Sequence, residues 1–482
     1  MSQLDEHADT GSFEAIPDPV DRATRPGGGR VDALLRRWFA TSQLSHRAVG
    51  ALLLPVIVSQ AFTIGFTSLT PMVVANAGPV AVSAVSTVEY VNIFVVQILI
   101  ALATAGSIVV AQNMGRGSRT AAQRSAGATL WVTAVPALVV GVALLVASDA
   151  VANGLLGPAG DQAVALGRMY LFALALGYPA QAIVEAASAS LRGVARTAPA
   201  LYLTVAMSGG FLALAVVLVR TFDLGVMGLA IAVVATRYPT AALALWLVRH
   251  DRVLGTGGRL VWPIDATRVR QAVMLGLPFV AEQVFFNGGK VLIQMFVVGM
   301  GTVQITANAV ANSLVGLSDV VGQAMCLALV PIVGQAIGAG RPDDARRLVR
   351  SFVISSSAVA VIVSGVMLAG FDWLLDLFNT PARARSDVLM IFGLVALARL
   401  LCVWSMSFMT PSGLRAAGDA VYTTVIASVS MLLRVAGIWY VGVHLGYGVV
   451  GVWAVMVAEW VLRAIAFDLR FRGHRWENKA VA

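Results

Sequence analysis

Apolar residues run through this chain in long blocks, separated by short polar stretches. The blocks predict twelve helices, each long enough to cross a hydrocarbon layer of about 30 Å. The first six fall over residues 48–73, 83–112, 125–147, 165–190, 198–219 and 225–248. The second six fall over residues 271–298, 304–336, 351–377, 387–411, 421–442 and 448–468. Between the two sets, the stretch from Arg249 to Arg270 is polar and glycine-rich, and it is the longest internal break in the pattern.

The two sets repeat one another at a spacing of about 223 residues. Leu54-Pro55 falls on Leu277-Pro278, Gln60 on Gln283, Phe62 on Phe285, Gly65 on Gly288 and Gly78 on Gly301. Further on, Gln112 to Gly117 (QNMGRG) falls on Gln335 to Gly340 (QAIGAG), Leu191-Arg192 on Leu414-Arg415, and Gly228 on Gly451. A register held this long in apolar sequence means two copies of one membrane unit, an arrangement typical of secondary transporters. Six spans per copy is an even number, so both copies enter the bilayer from the same side. The expected fold is an all-α integral membrane protein of twelve transmembrane helices in two six-helix parallel repeats.

Composition fixes the solvent. Hydrophobic residues make up 58% of the 482 and charged residues 12%, with mean hydropathy +0.81. A soluble domain carries about a quarter charged residues, so most of this surface must face lipid. The net charge of +9 does not point to nucleic acid, because the arginines sit in short loops between apolar runs. Arg116, Arg119 and Arg124 follow helix 2, Arg192 and Arg196 follow helix 4, and Arg341, Arg346 and Arg347 follow helix 8. The opposite loops, 74–82 and 299–303, carry no charge. That asymmetry puts both termini and the linker in the cytoplasm of a multi-pass protein of the cell membrane. The chain then divides into a disordered cytoplasmic tail (1–44), a six-helix lobe (45–250), a cytoplasmic linker (251–270), and a second six-helix lobe with a short cytoplasmic tail (271–482). The two cysteines, Cys326 and Cys402, lie in apolar runs and indicate neither a disulfide framework nor a metal site.

Charges at bilayer depth are costly and mark function or tight pairing. Helix 7 carries Glu282 and Lys290, about 12 Å apart by helix rise, with Gln283, Asn287 and Gln294 along the same helix. Helix 8 adds Asp319, Asn308 and Asn312. In the functional reading, Glu282 binds a proton or Na⁺ and a cationic substrate in turn, and Lys290 changes partner between Glu282 and Asp319. In the structural reading, Glu282 serves a neighbouring Arg or Lys, and Lys290 with Asp319 is a fixed bridge. Arg237, Arg434, Glu459 and Arg463 read as packing pairs, and Glu89 as solvated near the outer end of helix 2. Leu277-Pro278 and Gly288-Gly289 interrupt helix 7, as Leu54-Pro55 and Gly65 do helix 1, a pattern that points to a transporter site.

The run from Leu275 to Arg347, the stretch Gly413 to Asp419 (GLRAAGD) and the tail from Gly451 to Trp476 resemble the multidrug and toxic compound extrusion (MATE) family. The resemblance covers nearly the whole chain from about residue 48. It implies a cation-coupled (H⁺ or Na⁺) antiporter with two lobes in a V, exporting organic and often cationic compounds by alternating access. No cofactor or metal beyond the coupling ion is expected, and the chain is expected to be a monomer whose partners are the bilayer and a small organic substrate. An integral membrane enzyme would need clustered His, Asp or Ser at a membrane face, and the sequence offers none. Two departures stand out. Many relatives carry an acid late in helix 1 where this chain has Thr70, and some carry one a turn after Glu282, where this chain has Phe286. Gln60 and Thr70 therefore bind only as neutral polar groups, and coupling is expected to rest on the second half. A flippase of a lipid-linked or amphipathic metabolite is the alternative, with Lys290 and arginines reading an anionic head group. No GxxxxGK[ST] loop supports ATP-driven pumping by this chain.

Overall fold

The computed structural model describes Phe39 and residues 46–74, 78–255 and 265–480. Most of the expected tail (1–44), residues 256–264 of the linker and the side chain of Thr70 lie outside the described residues. By its internal contacts the chain divides after Ala51, and Leu52–Ala482 forms the second unit. The second unit is the helical body of the protein.

Among the described residues its architecture is helical. In the first half the long helices are α1 (His46–Val74), α2 (Pro79–Gly115), α3 (Arg119–Val146), α4 (Asp161–Gly193), α5 (Thr197–Thr221) and α6 (Gly225–His250). In the second half they are α7 (Ala266–Gly299), α8 (Thr302–Gly338), α9 (Pro342–Ala369), α10a (Ala382–Leu400), α10b (Val403–Ala416), α11 (Ala420–His444) and α12 (Gly448–Arg472). Among the described residues nine of these are long and apolar enough to cross a membrane, and α10a with α10b makes a tenth across a 56° bend. Helix α7 is 34 residues long. Glu282, Gln283, Asn287, Lys290 and Gln294 make it too polar to stand out by hydropathy alone.

The duplication is legible in the backbone. Gly78 and Gly301, one repeat apart, precede α2 and α8 with φ of 95° and 100°. A side chain there would be strained, which accounts for glycine at both positions. The stretched π-type turns that end α5 (Val217–Thr221) and α11 (Trp439–His444) also correspond. Position 402 breaks the symmetry. In the first half it corresponds to Pro179, inside the continuous helix α4. In the second half it is Cys402, in left-handed conformation at φ 58°, and the helix divides there. The span over 387–411, expected unbroken, is therefore two helices. The expected helix over 351–377 also divides, at Gly370, into α9 and a short helix Phe371–Leu377.

Packing within each half relies on small residues, as it must where lipid supplies no hydrophobic drive between helices. A methyl group added to Gly106 of α2 would lie 2.2 Å from Thr129 of α3. One added to Gly141 of α3 would lie 2.8 Å from the Ala175 carbonyl of α4. Around these contacts stand separate apolar cores. One joins α2, α4, α5 and α6 through residues such as Leu99, Leu171, Leu174 and Leu229. Its counterpart joins α7, α8, α10a, α11 and α12 through Leu314, Ile391, Phe392, Ile438 and Trp453.

Candidate functional site

The two halves meet at the end of the bundle nearest the linker, through a reciprocal contact. Gln112, near the end of α2, is fully buried and donates its amide to the Ala416 carbonyl at 2.9 Å. Gln335, its repeat partner on α8, donates to the Gly193 carbonyl at 2.9 Å. Gly193 and Ala416 are themselves repeat partners, at the ends of α4 and α10b. Backbone touches backbone beside these bonds. A methyl group on Gly115 would lie 2.0 Å from the Gln335 carbonyl, and one on Gly338 would lie 2.0 Å from the Gln112 carbonyl. The two QxxG pairs of the sequence thus form one pseudo-twofold clasp.

An arginine stands next to each clasped carbonyl. In the second half Arg415, beside Ala416, holds Glu282 of α7 at 3.2 Å and 3.3 Å to its two carboxylate oxygens. The pair is largely buried, with 21% and 12% of the side chains exposed. In the first half Arg192, beside Gly193, interacts with Glu185 of the same helix. Position 59, the counterpart of Glu282, is Ser59, whose hydroxyl donates to Thr204 at 3.0 Å.

The remaining charges of the second half form two further groups. Asp319 accepts from Arg399 at 2.6 Å, and Arg399, fully buried, also donates to Ser364 at 2.8 Å. The break at Cys402 follows Arg399 closely, and the Cys402 amide bonds the Arg399 carbonyl. Separately, Glu459 of α12 pairs with Arg434 of α11 and with Arg463 one turn on at 3.7 Å, and it accepts from Ser430 at 2.6 Å. Electrostatic interactions reach from Arg463 to Glu282, Arg415 and Arg434. Lys290 meets neither Glu282 nor Asp319. Its ammonium lies 4.5 Å over the Phe286 ring, and the Arg434 guanidinium lies 5.9 Å from the same ring.

The neutral residues expected at the site scatter along α7 and α8. Asn287 bonds Gln283 of its own helix, through both carbonyl and side chain. Asn308 reaches Gln294 at 3.5 Å and accepts from the Trp453 indole at 3.0 Å, while Asn312 bonds the Asn308 carbonyl. Gln60 is half-buried on α1. Glu282, Lys290 and Asp319 therefore belong to three different partnerships rather than one.

The sequence pattern concealed a site in the first half. A cavity of about 400 Å³ lies among α2, α4, α5 and α6, lined by Glu89, Asn92, Tyr170, Gln181 and Arg237 with apolar walls such as Phe211 and Val233. Glu89, which looked solvated, accepts from Tyr170 at 3.1 Å and from Asn92 at 2.7 Å. Arg237, which looked like packing, donates to Asn92 at 3.3 Å and to the Leu174 carbonyl at 3.3 Å. The only sequence signal was the position of Glu89 and Arg237 within apolar helices. Among the described residues no group of His, Cys, Asp and Glu is arranged to hold a metal ion.

The comparisons with known proteins agree with this architecture. A model of the MatE family matches residues 55–218 and again 278–440, so each match starts on a repeated helix proline. The chain is 25% identical over 443 residues to the probable multidrug resistance protein NorM of Bradyrhizobium diazoefficiens, covering 87% of this chain and 92% of that one. It is 23% identical over 313 residues to the uncharacterized transporter YisQ of Bacillus subtilis, covering 63% and 67%. A solved MATE structure, in complex with MaL6, shares the fold with TM-score 0.82 over 92% of this chain and 98% of that one, at 18% identity. Twofold family matching, the repeat and the reciprocal clasp describe one molecule: the chain belongs to the MATE family of membrane transporters.

Proposed function

We propose that this protein exports amphipathic organic compounds across the cell membrane by alternating access, in exchange for protons. The observation that carries the reading is the clasp of Gln112 on Ala416 and Gln335 on Gly193. It closes the halves at the linker end, which the flanking basic residues make cytoplasmic. A closed inner end describes one of the two states that alternating access requires.

Coupling follows from the neighbour of Ala416. While Glu282 is ionised it holds Arg415, and through Arg415 the end of α10b that Gln112 grips. A proton on Glu282 removes the charge that holds Arg415 and weakens the clasp, so a proton taken up outside favours opening inside. Its release to the cytoplasm restores the pair and closes that end again. A proton suits this arrangement better than Na⁺. Glu282, Asp319 and Glu459 each already face a guanidinium, which repels a metal cation and leaves it few free oxygens. The 400 Å³ cavity of the first half is the size of a small-molecule site and serves as the substrate chamber.

The test is uptake into energised inside-out vesicles, with proton and sodium gradients imposed separately and a panel of dyes and antibiotics offered. Accumulation driven by the proton gradient and indifferent to sodium supports the proposal. Accumulation driven by sodium alone removes Glu282–Arg415 from the coupling role.

A further inference from the structure

The second half holds more cations than its own carboxylates can neutralise. Glu282 is taken by Arg415, Asp319 by Arg399, and Glu459 is shared between Arg434 and Arg463. That leaves Lys290 with no carboxylate among the described residues, and one guanidinium in surplus at Glu459. The first half differs: its interior acids, Glu89 and Glu185, are matched by Arg237 and Arg192.

Part of this positive charge gathers at one ring. Lys290 on α7 and Arg434 on α11 both approach the Phe286 ring, at 4.5 Å and 5.9 Å. Two like charges on one ring repel. The ring's negative face offsets part of that cost but carries no net charge. Arg434 is buried, at 4% exposure, and so is Arg463. The Nε atoms of both have no hydrogen-bond partner. Lys290, by contrast, is exposed. An exposed ammonium without a carboxylate partner among the described residues, beside a buried guanidinium at the same ring, is the composition of an anion subsite.

We propose that the second half binds an organic anion, with its carboxylate, sulfonate or phosphate group on the Lys290 ammonium beside Phe286, where the buried Arg434 adds its charge. The inference rests on the reading of the protein as an exporter of amphipathic organic compounds, and it adds to the first-half chamber a second subsite, in the other half, that prefers a negative charge. It needs no ion gradient, so a binding measurement separates its failure from a failure of proton coupling.

The experiment compares dansylglycine with dansylcholine, two dansyl probes of opposite charge, on the full chain in phosphatidylcholine nanodiscs. Fluorescence titration should show dansylglycine binding about tenfold more tightly than dansylcholine. The uncharged methyl ester of dansylglycine should lose that advantage on the unaltered protein, a comparison that requires no substitution. Lys290→Gln should abolish the preference and Lys290→Arg should keep it. Equal or tighter binding of dansylcholine, retention of affinity by the methyl ester, or a preference that survives Lys290→Gln overturns the proposal. So does failure of dansylglycine to bind.

Discussion

The side chain of Gln112 grips the backbone of Ala416 at 2.9 Å, although 304 residues separate them in sequence. The bond joins the first half of the chain to the second, and Gln335 returns it to Gly193 at the same distance. A neutral hydrogen bond contributes about 1 kcal/mol net. Gln112→Ala should therefore shift the balance between closed and open inner ends by roughly fivefold, and adding Gln335→Ala should shift it further. Labelling of a cysteine placed in the cleft from the cytoplasmic side measures the shift. Unchanged labelling in the double variant would show that the clasp does not hold the inner end.

Gly338→Ala makes the stronger case. The added methyl group would lie 2.0 Å from the Gln112 carbonyl, and a backbone atom cannot yield as a flexible side chain does. The variant should fold, because the clash exists only when the halves close, but it should not transport. Normal transport by Gly338→Ala would mean that closure at this point is dispensable.

Glu282→Gln keeps the side-chain volume and removes the charge that holds Arg415. Efflux driven by a proton gradient should fall to background, while expression and thermal stability change little. Should efflux and its pH dependence persist, Glu282 is a structural partner of Arg415, and Asp319 becomes the acid to examine.

In the first-half cavity, Tyr170 and Asn92 hold Glu89 while Arg237 shares Asn92. Tyr170→Phe removes one donor and leaves the shape. If the cavity is the substrate chamber, KM for an exported dye should rise severalfold, with kcat largely retained. An unchanged KM would move the chamber elsewhere.

A last contact lies outside the membrane helices. Arg346 bonds the carbonyls of Phe471 and Gly473 at 2.9 Å and 3.0 Å, pairs with Glu477, and lies over the rings of Phe471 and Trp476. Burial alone would raise the Glu477 pKa. The hydrogen bonds and charges of Arg346 and His474 outweigh it and hold the carboxyl below the usual glutamate value. A carboxylate with a lowered folded pKa contributes stability that is present above its unfolded value, about 4.3, and that is lost as pH falls through the folded value. Proteolysis of the C-terminal tail should therefore stay slow at neutral pH and accelerate only in acid. Arg346→Gln should move that onset to higher pH, and an unmoved onset contradicts this role for Arg346.

The spacing of apolar blocks was enough to place most of the helices, because lipid solvation writes itself along whole segments. The repeat showed where the halves correspond, down to Gln112 with Gln335. The partner of each charge was not legible. Glu282 lies 133 positions from Arg415 and Asp319 lies 80 from Arg399, and single-sequence periodicity carries no information at such separations. Glu459 with Arg463 was foreseeable, since a one-turn spacing places both on one helix face, and the structure pairs them. The break at Cys402 was missed because neither Gly nor Pro marks it. Its left-handed residue is a half-buried cysteine at φ 58°.

Control of the inner end by the charge on Glu282 can be read directly across the clasp. A methyl group on Gly334 would lie 3.0 Å from the Ala111 Cβ, slightly inside the separation of about 3.5–4.5 Å seen in disulfides. Ala111→Cys with Gly334→Cys, in a background with Cys326 and Cys402 replaced, therefore reports closure by its rate of cross-linking. That rate is measured with a pH-independent bifunctional alkylating reagent after correction for thiol ionisation. Cross-linking should be fast in alkali and slow in acid, and its rate should no longer respond to pH once Glu282→Gln is added. The same pH response with and without Glu282→Gln would contradict control by Glu282.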